Sequence, residues 1–90
     1  MAKVEIERLS EAEIKDRGIR EWPVWEKEIS QFDWYYDNPE ECLLIEGEVE
    51  VTTSQGTYHL KAGDYVTFPK GLRCQWKIKQ PVRKYFNFPE

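Results

Sequence analysis

The stretch "GDYVTFPKGLRCQW", residues 63–76, carries turn signals at Gly63-Asp64 and at Pro69-Lys70-Gly71. Glycine takes backbone conformations closed to other residues and proline presets φ, so each group ends a strand and starts another. Between the turns Val66 and Phe68 share one face. Past the second turn Cys74, Trp76 and Ile78 point one way while Gln75, Lys77 and Lys79 point the other.

Upstream, "ECLLIEGEVEVTT" (41–53) opens on a continuous apolar run, which suggests a strand covered on both faces. After Gly47, Val49 and Val51 alternate with Glu48 and Glu50, the pattern of a strand with one wet face. "SQG" (54–56) fits a hairpin loop, and "TYHLK" places Tyr58 and Leu60 on one face with His59 toward solvent. Residues 20–41 hold three tryptophans, and Pro23 opposes a helix there. They read as two extended segments closed by the turn "DNPE". At the N-terminus, "KVEIE" suggests a short half-exposed strand through Val4 and Ile6. Ser10 and Glu13 have capping-box spacing, so a helical turn or two ends near Gly18. "VRKYFNF" (82–88) reads as the last strand. Many short strands with frequent turns indicate an all-β sandwich or barrel.

Ninety residues suit one domain, 1–90, with 14% aromatics available for a small core. The net charge of −4 and the scattered Lys and Arg argue against a nucleic-acid partner, whose binding rests on a basic face. No run of apolar residues is long enough to cross a bilayer, so no membrane partner is expected. The charged start "MAKVEIERLSE" is unlike a secretory signal, and Cys42 and Cys74 read as two reduced thiols of a cytoplasmic protein.

The order of these residues resembles the cupin family, small jelly-roll barrels of the double-stranded β-helix type. The second cupin motif is Gly, five residues, Pro-x-Gly, two residues, His; Gly63, Pro69 and Gly71 match it and Cys74 takes the histidine place. The first motif is His-x-His, three or four residues, Glu, six residues, Gly. Glu40 and Gly47 match its end, while Asp33 and Tyr35, or Trp34 and Tyr36, hold the histidine places. The words "WPVWEKE", "FDWYYD", "CLLIEGEVEVTT", "AGDYVTFPKGLRCQW" and "PVRKYFNF" resemble the ureidoglycine aminohydrolase-like and ethanolamine-utilisation cupins over residues 22–88. The resemblance implies a jelly roll with a short N-terminal helical turn and, in the usual member, Fe or Mn on three imidazoles and a carboxylate.

This chain has a single histidine. Alternation instead sends Glu40, Cys42, Cys74, Trp76 and Lys84 inward, with Trp34 and Tyr36 at the rim; Tyr35 and Phe68 are further candidates for an aromatic mouth. These residues suggest a small-molecule site inside the barrel with no cofactor. An atypical Zn or Mn site on Glu40, Cys42 and Cys74 stays open. So does an enzyme acting on an amino or ureido compound, with Lys84 and Glu40 as acid and base or with Cys74 activated by Lys84 or Arg73. The aromatic bulk of residues 22–37 exceeds what one thin core covers, so a homodimer is expected.

Overall fold

In a computed structural model, which describes residues 3–89, seven strands pair antiparallel throughout. They are β1 (Glu5–Arg8), β2 (Val24–Lys27), β3 (Ser30–Tyr35), β4 (Glu40–Thr53), β5 (Gly56–Lys61), β6 (Asp64–Phe68) and β7 (Arg73–Asn87). Ahead of β2 lie a helix, α1 (Glu11–Asp16), and a 3-10 turn (Ile19–Glu21). The expected capping box forms: the Ser10 hydroxyl accepts from the Glu13 N–H, and the Glu13 carboxylate accepts from the Ser10 N–H. Gly18 follows the helix in the left-handed conformation.

Two long strands organise the fold. The first half of β4 pairs with β6 and its second half with β5. The second half of β7 pairs with β2 and its first half with β3. Since β4 and β7 also pair with one another along most of their length, each runs through both layers of the fold. One layer is β1-β6-β4-β7-β2, and the other is β5-β4-β7-β3. The sequence suggests a break before "VRKYFNF", but β7 runs through Pro81 without interruption. Opposite Pro81 the register with β4 shifts between Leu44 and Val49, an irregularity that accommodates a residue unable to donate to the ladder.

Gly47 makes that irregularity possible. It sits at φ 105°, and a Cβ there would lie 2.5 Å from the Pro81 carbonyl oxygen and 2.7 Å from the Val82 Cα. Across this irregularity β4 advances five residues against six of β7, and the phase of β4 reverses. Glu40, Cys42 and Leu44 are buried ahead of it, Val49 and Val51 after it.

The inward faces bury a cluster of Val4, Cys42, Leu44, Val49, Val51, Leu60, Val66, Phe68, Leu72, Trp76, Ile78 and Val82. On the outside of the first layer, Leu43 and Tyr65 are covered by Ile14 and Ile19, with Leu9, Trp22 and Tyr85 around them. The apolar run at the start of β4 is therefore buried on both faces. Ile6 opposes Val66 on β1, an edge strand among the described residues, and stays 41% exposed.

Candidate functional site

Side chains of β2, β3, β4 and β7, with Tyr36 and Phe88 just past the ends of β3 and β7, surround a cavity of about 210 Å³ lined by Trp25, Phe32, Trp34, Tyr36, Glu40, Trp76, Lys84, Phe86 and Phe88. Register explains how residues so distant in sequence meet. Trp25 pairs with Lys84, Phe32 with Trp76, Leu44 with Lys84 and Cys42 with Phe86. Phe32 and Trp76 stack at 6.2 Å with rings 11° apart, and Trp25 presents an edge to Trp76 at 6.0 Å. Tyr36 stacks on Phe68 at 4.6 Å.

The "PKG" turn does more than reverse the chain. The Gly71 N–H donates to the Tyr36 carbonyl, and the Tyr36 N–H donates to the Leu72 carbonyl. This pair of bonds pins the end of β3 and holds the Tyr36 ring inside.

At the base of the cavity Lys84 Nζ donates to Glu40 Oε2 at 2.7 Å, with both side chains more than nine-tenths buried. The ammonium also lies over Trp76 (4.7 Å to the ring centroid), Trp25 (5.1 Å) and Phe68 (5.9 Å). Taking two charges out of water is costly, and the short bond and the aromatic faces together offset that cost. Near this pair, Trp76 Nε1 is buried without a hydrogen bond of regular geometry, although the Tyr36 hydroxyl and the Cys74 thiol lie beside it. Burial, reinforced by the Glu40 charge, pushes the Tyr36 phenol far above its ordinary value, so it stays protonated as a neutral polar group.

Of the residues expected at the site, Trp34, Tyr36, Glu40, Trp76 and Lys84 lie together on this cavity. Cys42 faces inward but is fully buried in the core beneath it. Cys74 also faces inward, yet opposite Trp34 it borders a shallow groove with Asp33, Tyr35 and Thr52. Alternation fixes the face of a strand but not how far along the barrel a side chain lies. Tyr35 turns outward under the Arg73 guanidinium, 4.9 Å from its ring centroid, and Phe68 sits below the cavity. His59 is on the surface beside Glu50, as expected.

Trp25, Phe32, Phe86 and Phe88 complete the lining beyond the expected set. Phe32 is in phase with Trp34 and Tyr36, and Phe86 and Phe88 with Lys84, so alternation held a signal for three of them. Trp25 depended on the β2–β7 register.

The thiols do not suit nucleophilic work. Burial pushes Cys42 up to about 12, against the opposing pull of Lys84, and pushes Cys74 up to about 11. Arg73 does not activate Cys74, since it stacks on Tyr35 instead.

A metal of the usual cupin kind does not fit these residues. Among the described residues no three or more His, Cys, Asp or Glu side chains gather as metal ligands would. Glu40, the carboxylate that such a centre would use, already holds the Lys84 ammonium at 2.7 Å, and a divalent ion there would meet that charge at contact distance.

Comparison with known proteins places this geometry in a family. Residues 14–86 match the EutQ-like cupin domain. The chain belongs to the EutQ-like cupin family. A DUF861 family protein of Thermotoga maritima is 52% identical over 97% of this chain and 100% of its own, with a TM-score of 0.93. A putative ethanolamine utilization protein Q of Salmonella typhimurium is 22% identical, covering 92% of this cupin and 66% of the other chain, with a TM-score of 0.64. The EutQ protein of Clostridium difficile is 20% identical over 98% of this chain and 69% of its own, at a TM-score of 0.66. The latter two share the fold alone. No curated protein is similar enough to count as a match. Among the described residues no helix is long and apolar enough to cross a membrane.

Proposed function

We propose that this cupin binds a small molecule in the aromatic cavity, using the Lys84–Glu40 pair as its polar anchor. The observation that supports this reading is a buried ion pair at the base of a cavity walled by aromatic rings. Buried ion pairs add little net stability compared with apolar packing, so their place in a concave apolar site points to recognition. A thermal-shift screen of small acids, amines, amides and sugars tests it, since a ligand that prefers the folded state raises the melting temperature. Stabilising compounds should lose their effect on a Lys84→Met/Glu40→Gln double variant. Hits that keep their effect on that variant place the binding site elsewhere.

A second reading is an enzyme acting on an amino or ureido compound with Lys84 and Glu40 as acid and base. The 2.7 Å contact within a cavity favours it; the raised thiols argue against Cys42 or Cys74 taking part. Ammonia release from such compounds by the wild-type protein, and its loss in Glu40→Gln, is the test. We place the protein in the cytoplasm, where its two free thiols stay reduced. As its partner we propose a second copy of the chain, because Val24, Ile29, Trp34 and Tyr35 remain exposed along β2, β3 and the link between them.

A further inference from the structure

The chemistry at the base of the cavity narrows the class of ligand, granted the binding reading above. Lys84 and Glu40 form a pair of zero net charge within an aromatic enclosure. A carboxylate or an ammonium entering that enclosure would add a charge with no counter-charge left to meet it, because the pair already neutralises itself. Desolvating such an unmatched ion is unfavourable.

The pair still has hydrogen-bonding capacity. An ammonium carries three donors and a carboxylate about four acceptor sites. Among the described residues the side-chain bond between Lys84 and Glu40 uses one of each, and no other side-chain hydrogen bond to either group is formed. A free donor and a free acceptor therefore lie side by side. Their complement is a molecule offering an acceptor and a donor on adjacent atoms.

The walls set the shape. Trp25, Phe32, Trp76 and Phe86 present aromatic surface, against which a flat ring stacks best. The volume of about 210 Å³ falls below the roughly 300–1,000 Å³ of sites for drug-sized ligands, so one or two rings fill it.

We propose that this cupin selects an uncharged planar ring bearing a carbonyl oxygen next to an N–H, the pattern of a ring lactam or imide. The carbonyl accepts from Lys84, the ring N–H donates to Glu40, and the ring lies among the tryptophans and phenylalanines.

Four flat probes separate the possibilities by calorimetric titration of the full chain: 2-pyridone, 1-methyl-2-pyridone, benzoate and benzamidine. 2-Pyridone should bind tightest. Methylating its nitrogen removes the donor to Glu40, and losing a hydrogen bond to a charged group weakens binding by about 10- to 100-fold. Benzoate and benzamidine should fall at least about tenfold below 2-pyridone, as each brings an unmatched charge. Equal or tighter binding of benzoate or benzamidine overturns this ligand class while leaving the cavity a binding site. Equal binding of the methylated and unmethylated pyridones removes Glu40 as acceptor and overturns it too. Binding of none of the four also overturns it, and the broad thermal-shift screen then decides whether the cavity binds anything. Because the probes are compared on the wild-type chain, the outcome does not depend on any variant folding.

Discussion

Lys84 Nζ, on β7, donates to Glu40 Oε2, on β4, at 2.7 Å across 44 residues of sequence. Neither side chain reaches bulk water to a meaningful extent. Each charge makes the other's burial tolerable.

Removing one partner should therefore cost more than removing both. Lys84→Met or Glu40→Gln alone should destabilise by about 3–5 kcal/mol, because an uncompensated group stays buried. A Lys84→Met/Glu40→Gln double variant should lose less than the two single losses combined. Urea unfolding of the four proteins in a double-mutant cycle measures the coupling. Single losses under about 1 kcal/mol would show that water reaches the pair.

The thiols and phenols should make stability fall in alkali. Burial raises Cys74 to about 11 and Cys42 to about 12, from 9.0 for a free thiol, and raises Tyr65 to about 12, helped by Glu41. The folded state thus holds protons that the unfolded chain releases, so the contribution of these groups is fully present below about pH 9 and is lost from there toward pH 12. Denaturation midpoints across that range check the sign. At pH 7.5 neither cysteine should react with a thiol reagent until the protein unfolds; rapid labelling of the native protein would contradict the burial of both.

Gly47 should be intolerant of a side chain. Its φ of 105° is unfavourable for L-residues, and the Pro81 backbone occupies the space that a Cβ needs. Gly47→Ala should cost at least about 3 kcal/mol from strain and displaced backbone. Gly56→Ala is the control: its φ of 130° is also strained, but nothing lies within 4 Å. Thermal melts of both variants should rank Gly47→Ala as the more damaging, and the reverse order would remove the irregularity at Gly47 as the key to the β4–β7 register.

Much of this architecture could be read from local patterns, and the exceptions have physical causes. The alternation of Cys74, Trp76, Ile78, Val82, Lys84 and Phe86 assigns one face of β7, and that face is the interior. Ser10, Glu13 and Gly18 mark the helix because capping depends on neighbours in sequence. Trp25 was not legible as a wall of the cavity, since its position rests on pairing with Lys84, 59 residues away, and long-range register leaves no local trace. Cys74 shows a different limit. Its face was correct, but its distance along the barrel was not encoded in alternation, and it borders an outer groove rather than the cavity. The continuity of β7 through Pro81 was hidden because proline usually ends a strand; the irregularity at Gly47 on the neighbouring strand is what allows it.

The exposed apolar side chains of residues 24–35 should meet a second copy. Ile29 is 63% exposed, an uncommon position for so large an apolar group on a small monomer. Light scattering after size exclusion should give about twice the chain mass of 10.8 kDa, and Ile29→Asp should shift the protein toward a single chain. A wild-type mass of one chain at high concentration would rule out the dimer.

The four tryptophans offer the most direct test of the binding site. Trp25, Trp34 and Trp76 line the cavity, while Trp22 packs against the helix on the outside of the barrel. Their indole N–H signals can be followed separately by ¹H–¹⁵N NMR as a stabilising ligand is titrated. The account predicts that Trp25, Trp34 and Trp76 shift together and saturably, that Trp22 stays fixed, and that the response vanishes in Lys84→Met/Glu40→Gln. A ligand that moves Trp22 and leaves the three cavity signals unchanged would contradict it.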